Sequence, residues 1–72
     1  MHNSINVYFG NKIRQERKKL KLSQESLALE AGVDRTYVND IEKGARNVSL
    51  NIAYKLTKAL NISFANLFKE LN

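Results

Sequence analysis

Residues 24–43 read QESLALEAGVDRTYVNDIEK, and their spacing describes two short amphipathic segments that meet at a tight turn. Ala28 falls where two such helices would cross closely, and its small side chain permits the approach. Gly32 follows the last periodic residue, where a chain leaving a helix often needs positive φ. Val38 and Ile41, three residues apart, place an apolar stripe on the second segment. Arg, Thr, Asn and Lys occupy its outer side. A chain built around this unit is constrained to be helical.

Size and charge narrow the reading. Seventy-two residues make one small domain over 1–72, with no room for a catalytic cleft between two layers. A core this small is marginal unless supplemented, and the lack of Cys excludes disulfides and thiolate metal sites. Association with a second copy is the common device left. The absence of Pro and the scarcity of Gly fit helices joined by short connections. A net charge of +5 favours nucleic acid or an anionic surface as partner. No apolar run approaches the roughly 20 residues of a membrane span, and MHNSINVYFGNKIR lacks the apolar centre of a secretory signal. A cytoplasmic protein with no membrane partner is expected.

Periodicity and capping residues predict an all-α, compact five-helix domain. A first helix over residues 6–20 carries Phe9, Ile13, Arg17 and Leu20 on one face, with Lys12, Lys18, Lys19 and Lys21 elsewhere. Ser23 caps a second helix over 24–31, with Leu27, Ala28 and Ala31 inward. Asp34 opens a third over 35–43, which Gly44 ends. Ser49 caps a fourth over 50–60, with Ile52, Leu56, Ala59 and Leu60 inward; Asn61 ends it. Ser63 caps a last helix over 64–71.

On the third helix, 100° per residue puts Val38, Ile41 and Glu42 on one side and Thr36, Asn39 and Lys43 on the other. Arg35 and Asp40 flank the outer set, and Tyr37 lies at the boundary. That set suits double-stranded DNA. Arg can meet guanine with two hydrogen bonds, Asn can do the same with adenine, and Thr can touch a thymine methyl. The motif is a helix-turn-helix with its second helix offered to the major groove. An ordinary solvated helix face is the competing reading, and Asp40 argues against DNA because phosphates repel a carboxylate. Base contact is expected from Arg35, Thr36, Tyr37 and Asn39. Phosphate or groove contact is expected from Gln24, Lys43, Arg46, Asn47 and Ser49, with an adjacent minor groove as the alternative for Arg46.

Arg17 and Glu42 are charges at core-facing positions, and buried charges are costly unless paired. They are expected to pair with each other, a structural role. The last helix carries Phe64, Leu67, Phe68 and Leu71 on one face, with Ile62 just ahead. Some of that surface completes the core, and the rest is expected to form a two-fold dimer interface. His2 has no Cys or His partner for a metal, and no serine has a histidine with which to form a nucleophile. Neither a cofactor nor an enzymatic activity is expected.

IRQERKKLKLSQESLALEAGVDRTYVNDIEKG resembles, without gaps, the pattern of the phage-repressor-like (Xre) helix-turn-helix family, and the likeness spans residues 13–68. DRTYVNDIEKGARNVSL looks most like the controller proteins of restriction–modification systems. The resemblance implies the lambda-repressor-like fold and a homodimer on an operator with an inverted repeat, upstream of its own gene and an endonuclease gene. It implies activation and then repression as occupancy rises, with RNA polymerase a further candidate partner. It also implies base-reading roles for Arg35, Thr36 and Tyr37, groove or phosphate contacts for Gln24, Asn39, Arg46, Asn47 and Ser49, and the Arg17–Glu42 pair.

Three other readings compete: a stand-alone phage-type repressor, an antitoxin of the same fold whose main partner is a toxin protein, and a basic domain that binds RNA or DNA without preference. The hydrogen-bond-rich outer face of the third helix argues against the last, because non-specific binding needs mainly cations.

Overall fold

The computed structural model describes residues 4–70, and the chain forms α1 (Ser4–Lys19), α2 (Gln24–Ala31), α3 (Arg35–Glu42), α4 (Leu50–Ala59) and α5 (Phe64–Phe68). Four helices begin at the capping residues that the sequence proposes. Ser23, Asp34, Ser49 and Ser63 each accept a hydrogen bond from a backbone N–H two or three residues on, at 2.8–3.1 Å. These bonds satisfy donors that a helix start leaves without partners.

The helix ends share one device. Lys21, Gly32, Gly44 and Asn61 all take positive φ, between 56° and 72°. Each donates its backbone N–H to a carbonyl three residues back, and the next residue reaches five back: Leu22 to Arg17, Val33 to Ala28, Ala45 to Asp40 and Ile62 to Thr57, at 3.0–3.1 Å. This is the Schellman geometry, in which the apolar residue after the left-handed one folds onto the helix it leaves. Leu22, Val33 and Ile62 pack against the core in that way. The corners LKLS at 20–23 and LNIS at 60–63 therefore run alike. Glycine or Asn holds three of these positions at low cost, whereas Lys21 pays the full strain of its side chain.

α1 and α2 pack on α3, α4 packs on α2, and α5 touches α1. Phe9, Ile13, Leu27, Ala28, Val38, Ile41, Leu56, Leu60 and Leu67 fill the shared core. The tightest crossing lies at Gly10, where an added Cβ would stand 2.1 Å from the Ile41 carbonyl oxygen. Glycine there lets α1 and α3 lie nearly backbone to backbone.

Several expectations are corrected. Leu20 is 50% exposed, because it sits at the corner after α1 rather than on its inner face. Lys43 and Leu60 cap α3 and α4 instead of extending them. On α4, Ala53 and Thr57 are buried, while Ile52 and Ala59 are only partly so, since the inward stripe centres on Ala53, Leu56 and Leu60. Thr57 meets its hydroxyl's need by donating to the Tyr54 carbonyl at 3.1 Å. α5 ends at Phe68, and residue 71 lies outside the described residues, as does His2.

Two substitutions test these geometries by thermal or urea unfolding. Gly10→Ala should destabilise the protein by roughly 1–3 kcal/mol or more, since backbone must move to admit the methyl. Lys21→Gly should stabilise it by about 0.5–1 kcal/mol through relief of left-handed strain. A neutral Gly10→Ala or a destabilising Lys21→Gly would contradict the account.

Candidate nucleic-acid interface

Beneath α3 lies a charged network. Arg17 donates from Nε and Nη2 to the two carboxylate oxygens of Glu42, at 2.7 and 2.9 Å. Both side chains are largely enclosed, at 11% and 4% exposure. Arg17 Nη1 donates to the Leu22 carbonyl at 2.9 Å, so one guanidinium grips α3 and the corner into α2. The hydrogen bonds to Glu42 hold the Arg17 pKa above its already high ordinary value. Gln24, the first residue of α2, donates from Nε2 to Glu42 Oε1 at 3.1 Å and to Asn39 Oδ1 at 3.3 Å. No buried side-chain nitrogen or oxygen among the described residues lacks a partner.

The network carries the outer face of α3. Arg35 and Thr36 are exposed at its first turn, where Asp34 caps the Thr36 N–H. Asn39 is half-buried, with its carbonyl oxygen taken by Gln24 and its amide NH2 left for another acceptor. Lys43 is exposed at the far end. Gln24, Asn39, Glu42 and Lys43 join Arg14 and Arg17 around a polar depression of about 250 Å³. Arg14, an exposed cation on α1 that the sequence reading passed over, thus stands beside the expected phosphate contacts. Helical position offered a signal for it, because Arg14 follows the inward Ile13 and precedes Arg17 by three residues.

The loop after α3 holds the remaining candidates. Arg46 does not stand free: its Nη2 lies 3.1 Å from Asp40 Oδ2, and its guanidinium carbon lies 4.3 Å from the centre of the Tyr37 ring. The hydrogen bond to Asp40 raises the Arg46 pKa further. Tyr37, half-buried, packs on the core and supports Arg46 from beneath. Asn47 accepts from Asn6 Nδ2 at 2.6 Å, tying the loop to α1. Ser49 is exposed, with its oxygen capping α4. The clustered cations at the end of α1 are divided, since Lys19 pairs with Glu16 at 3.0 Å.

The expected dimer surface is redrawn. Leu67 is fully enclosed in the core and cannot form an interface. Ile62 and Phe68 are partly buried against the same core, with Phe68 stacked on Tyr8 and Phe9 at 5.9 and 6.1 Å between ring centres. Phe64 remains exposed. On α4, Leu50 and Tyr54 are 81% and 56% exposed, and on α2 Leu29 is 78% exposed. Leu50, Ala53, Phe64 and Phe68 border an apolar groove of about 230 Å³ with Phe9 and Val48. Leu71 lies outside the described residues. Among the described residues, no helix is long and apolar enough to cross a membrane, and no three His, Cys, Asp or Glu gather as metal ligands.

A helix-turn-helix family model, HTH_3, matches residues 13–67. The control protein C.BamHI of Bacillus amyloliquefaciens is 51% identical over 63 residues, covering 86% of this chain and 78% of its own. The crystal structure of the restriction–modification controller protein C.AhdI from Aeromonas hydrophila superposes with a TM-score of 0.86 at 45% identity, over 92% of this chain and all of the other. The controller C.Esp1396I, crystallised as a tetramer with its natural 35 base-pair operator, superposes with a TM-score of 0.86 at 27% identity, over 93% of this chain and 88% of its own.

The ion pair makes a direct prediction. Glu42→Ala leaves the Arg17 guanidinium enclosed without its carboxylate, and stability should fall by roughly 3–5 kcal/mol. Thermal unfolding checks this; an unchanged melting curve would show that the pair is not structural.

Proposed function

The chain belongs to the helix-turn-helix family of the phage-repressor (Xre) type, and from that premise we propose that it regulates transcription as the controller of a restriction–modification system, bound to operator DNA as a homodimer. The observation that carries the reading is the outer face of α3. Arg35 and Thr36 are exposed there, and Asn39 and Lys43 continue the face above a buried ion pair that sets the helix's orientation. Arg35, Thr36 and Asn39, with Tyr37 beside them, can read base edges, while Lys43, Gln24, Arg14, Arg46, Asn47 and Ser49 border them as candidate phosphate or groove contacts. Relatives named as control proteins, and the C.Esp1396I operator complex, support operator binding by this chain.

Leu50, Tyr54 and Phe64 supply the apolar surface for a two-fold dimer. Two recognition helices related by that axis would enter successive major grooves roughly 34 Å apart and read an inverted repeat. RNA polymerase is the further partner that a controller acting as an activator requires.

Arg35→Ala should weaken operator binding by about 1–3 kcal/mol and relax preference at one base position in each half-site. An equal loss on operator and random DNA would refute base reading by Arg35. Sedimentation should find the unmodified chain dimeric at about tens of micromolar. Leu50→Asp should weaken the dimer by about tenfold or more, because each protomer loses a buried leucine. A monomer for the unmodified chain would contradict the dimer.

A further inference from the structure

We propose that Asp40 latches Arg46 against the Tyr37 ring in the DNA-free protein, so that a DNA phosphate must displace a carboxylate to engage Arg46. The inference rests on the DNA-binding reading given above. Two contacts converge on one guanidinium, and a backbone bond sets the turn that delivers it. Asp40 lies 3.1 Å from it, the Tyr37 ring lies beneath it at 4.3 Å, and the Asp40 backbone carbonyl accepts the Ala45 N–H at 3.1 Å. The same residue, in the last turn of α3, therefore accepts the bond that closes the turn toward Arg46 and holds the side chain that the turn delivers.

A carboxylate and a phosphate make the same forked demand on a guanidinium, so they compete for it directly. Arg46 and Asp40 keep 43% and 32% of their side-chain surface in water. An ion pair so exposed is weak enough to exchange. Support from the Tyr37 ring adds to it. Once Arg46 leaves, the Asp40 charge remains beside the outer face of α3 and repels the phosphates that have taken its partner. Asp40 thus lowers affinity twice, by holding Arg46 in the free state and by facing DNA in the bound one. The first effect needs Arg46; the second does not.

That difference is the test. Asp40→Asn, Arg46→Ala and the double variant are first compared with the unmodified chain by circular dichroism to confirm the fold. In the free protein, the Arg46 methylene resonances should be shifted upfield by the Tyr37 ring and move toward unstructured values in Asp40→Asn. Unmoved resonances would overturn the latch without reference to DNA. Fluorescence anisotropy then follows binding to a pool of random-sequence duplexes over a range of salt. Asp40→Asn should bind about two- to fivefold tighter than the unmodified chain, with a salt slope steeper by about 0.9. In the Arg46→Ala background the same substitution should gain less than half as much. Equal gains in both backgrounds would reduce Asp40 to simple repulsion and overturn the latch. Weaker binding by Asp40→Asn would overturn it too, by showing that Asp40 presents Arg46 to DNA. If the unmodified chain bound no duplex at any salt, the regulator reading would fail as well, an outcome distinct from both.

Discussion

The bidentate pair between Arg17 and Glu42 joins more of this molecule than any other polar contact. Glu42 ends α3 and Arg17 lies in the last turn of α1, and both are nearly enclosed. Neither charge is tolerable there alone. Through its third donor Arg17 also holds the Leu22 carbonyl, and the Leu22 N–H donates in return to the Arg17 carbonyl at 3.1 Å. Gln24 adds the first turn of α2 by way of Glu42 and Asn39. One buried charge pair therefore sets how α1, α2 and α3 meet, and with it the direction in which Arg35 and Thr36 face. If α3 reads DNA as proposed, stability and recognition share this network, and the residues that hold α3 in place need not touch DNA to matter for binding.

The helix ends reinforce that placement. Repeating one left-handed corner four times makes each connection three to seven residues long and returns an apolar side chain to the core at three of them. Short, self-satisfied corners leave little freedom in how α2 presents α3. Gly10 closes the other side, since α1 approaches the Ile41 carbonyl more nearly than any Cβ would allow. The loop between α3 and α4 is the longest of these connections, and it is where Arg46 and Asn47 are held by side chains from α3 and α1.

Much of this was legible in the sequence. Ser23, Asp34, Ser49 and Ser63 mark their helix starts because a cap must be a short acceptor at a fixed place. Arg17 and Glu42 were legible as a pair because each interrupts an otherwise apolar face. Gly10 was not, since a close approach depends on which helix crosses there and not on local pattern. Lys21 was hidden in a basic run, although its left-handed role matches that of Asn61 in a corner of similar sequence. Leu67 read as surplus apolar surface because α5 alone suggests an amphipathic face, whereas three-dimensional packing buries Leu67 and leaves Leu50 and Tyr54 outside. The Asp40–Arg46 contact joins a helix to the loop beyond its end, where helical spacing no longer says which side chains meet.

The central claim is that α3, held by the buried pair, reads DNA as one half of a symmetric dimer. Selection of binding sites from a random DNA library with the unmodified protein tests it most directly. The account predicts enrichment of an inverted repeat whose half-site centres lie about 10–10.5 base pairs apart. Enrichment of no sequence, or of a single half-site without its symmetric partner, would contradict it.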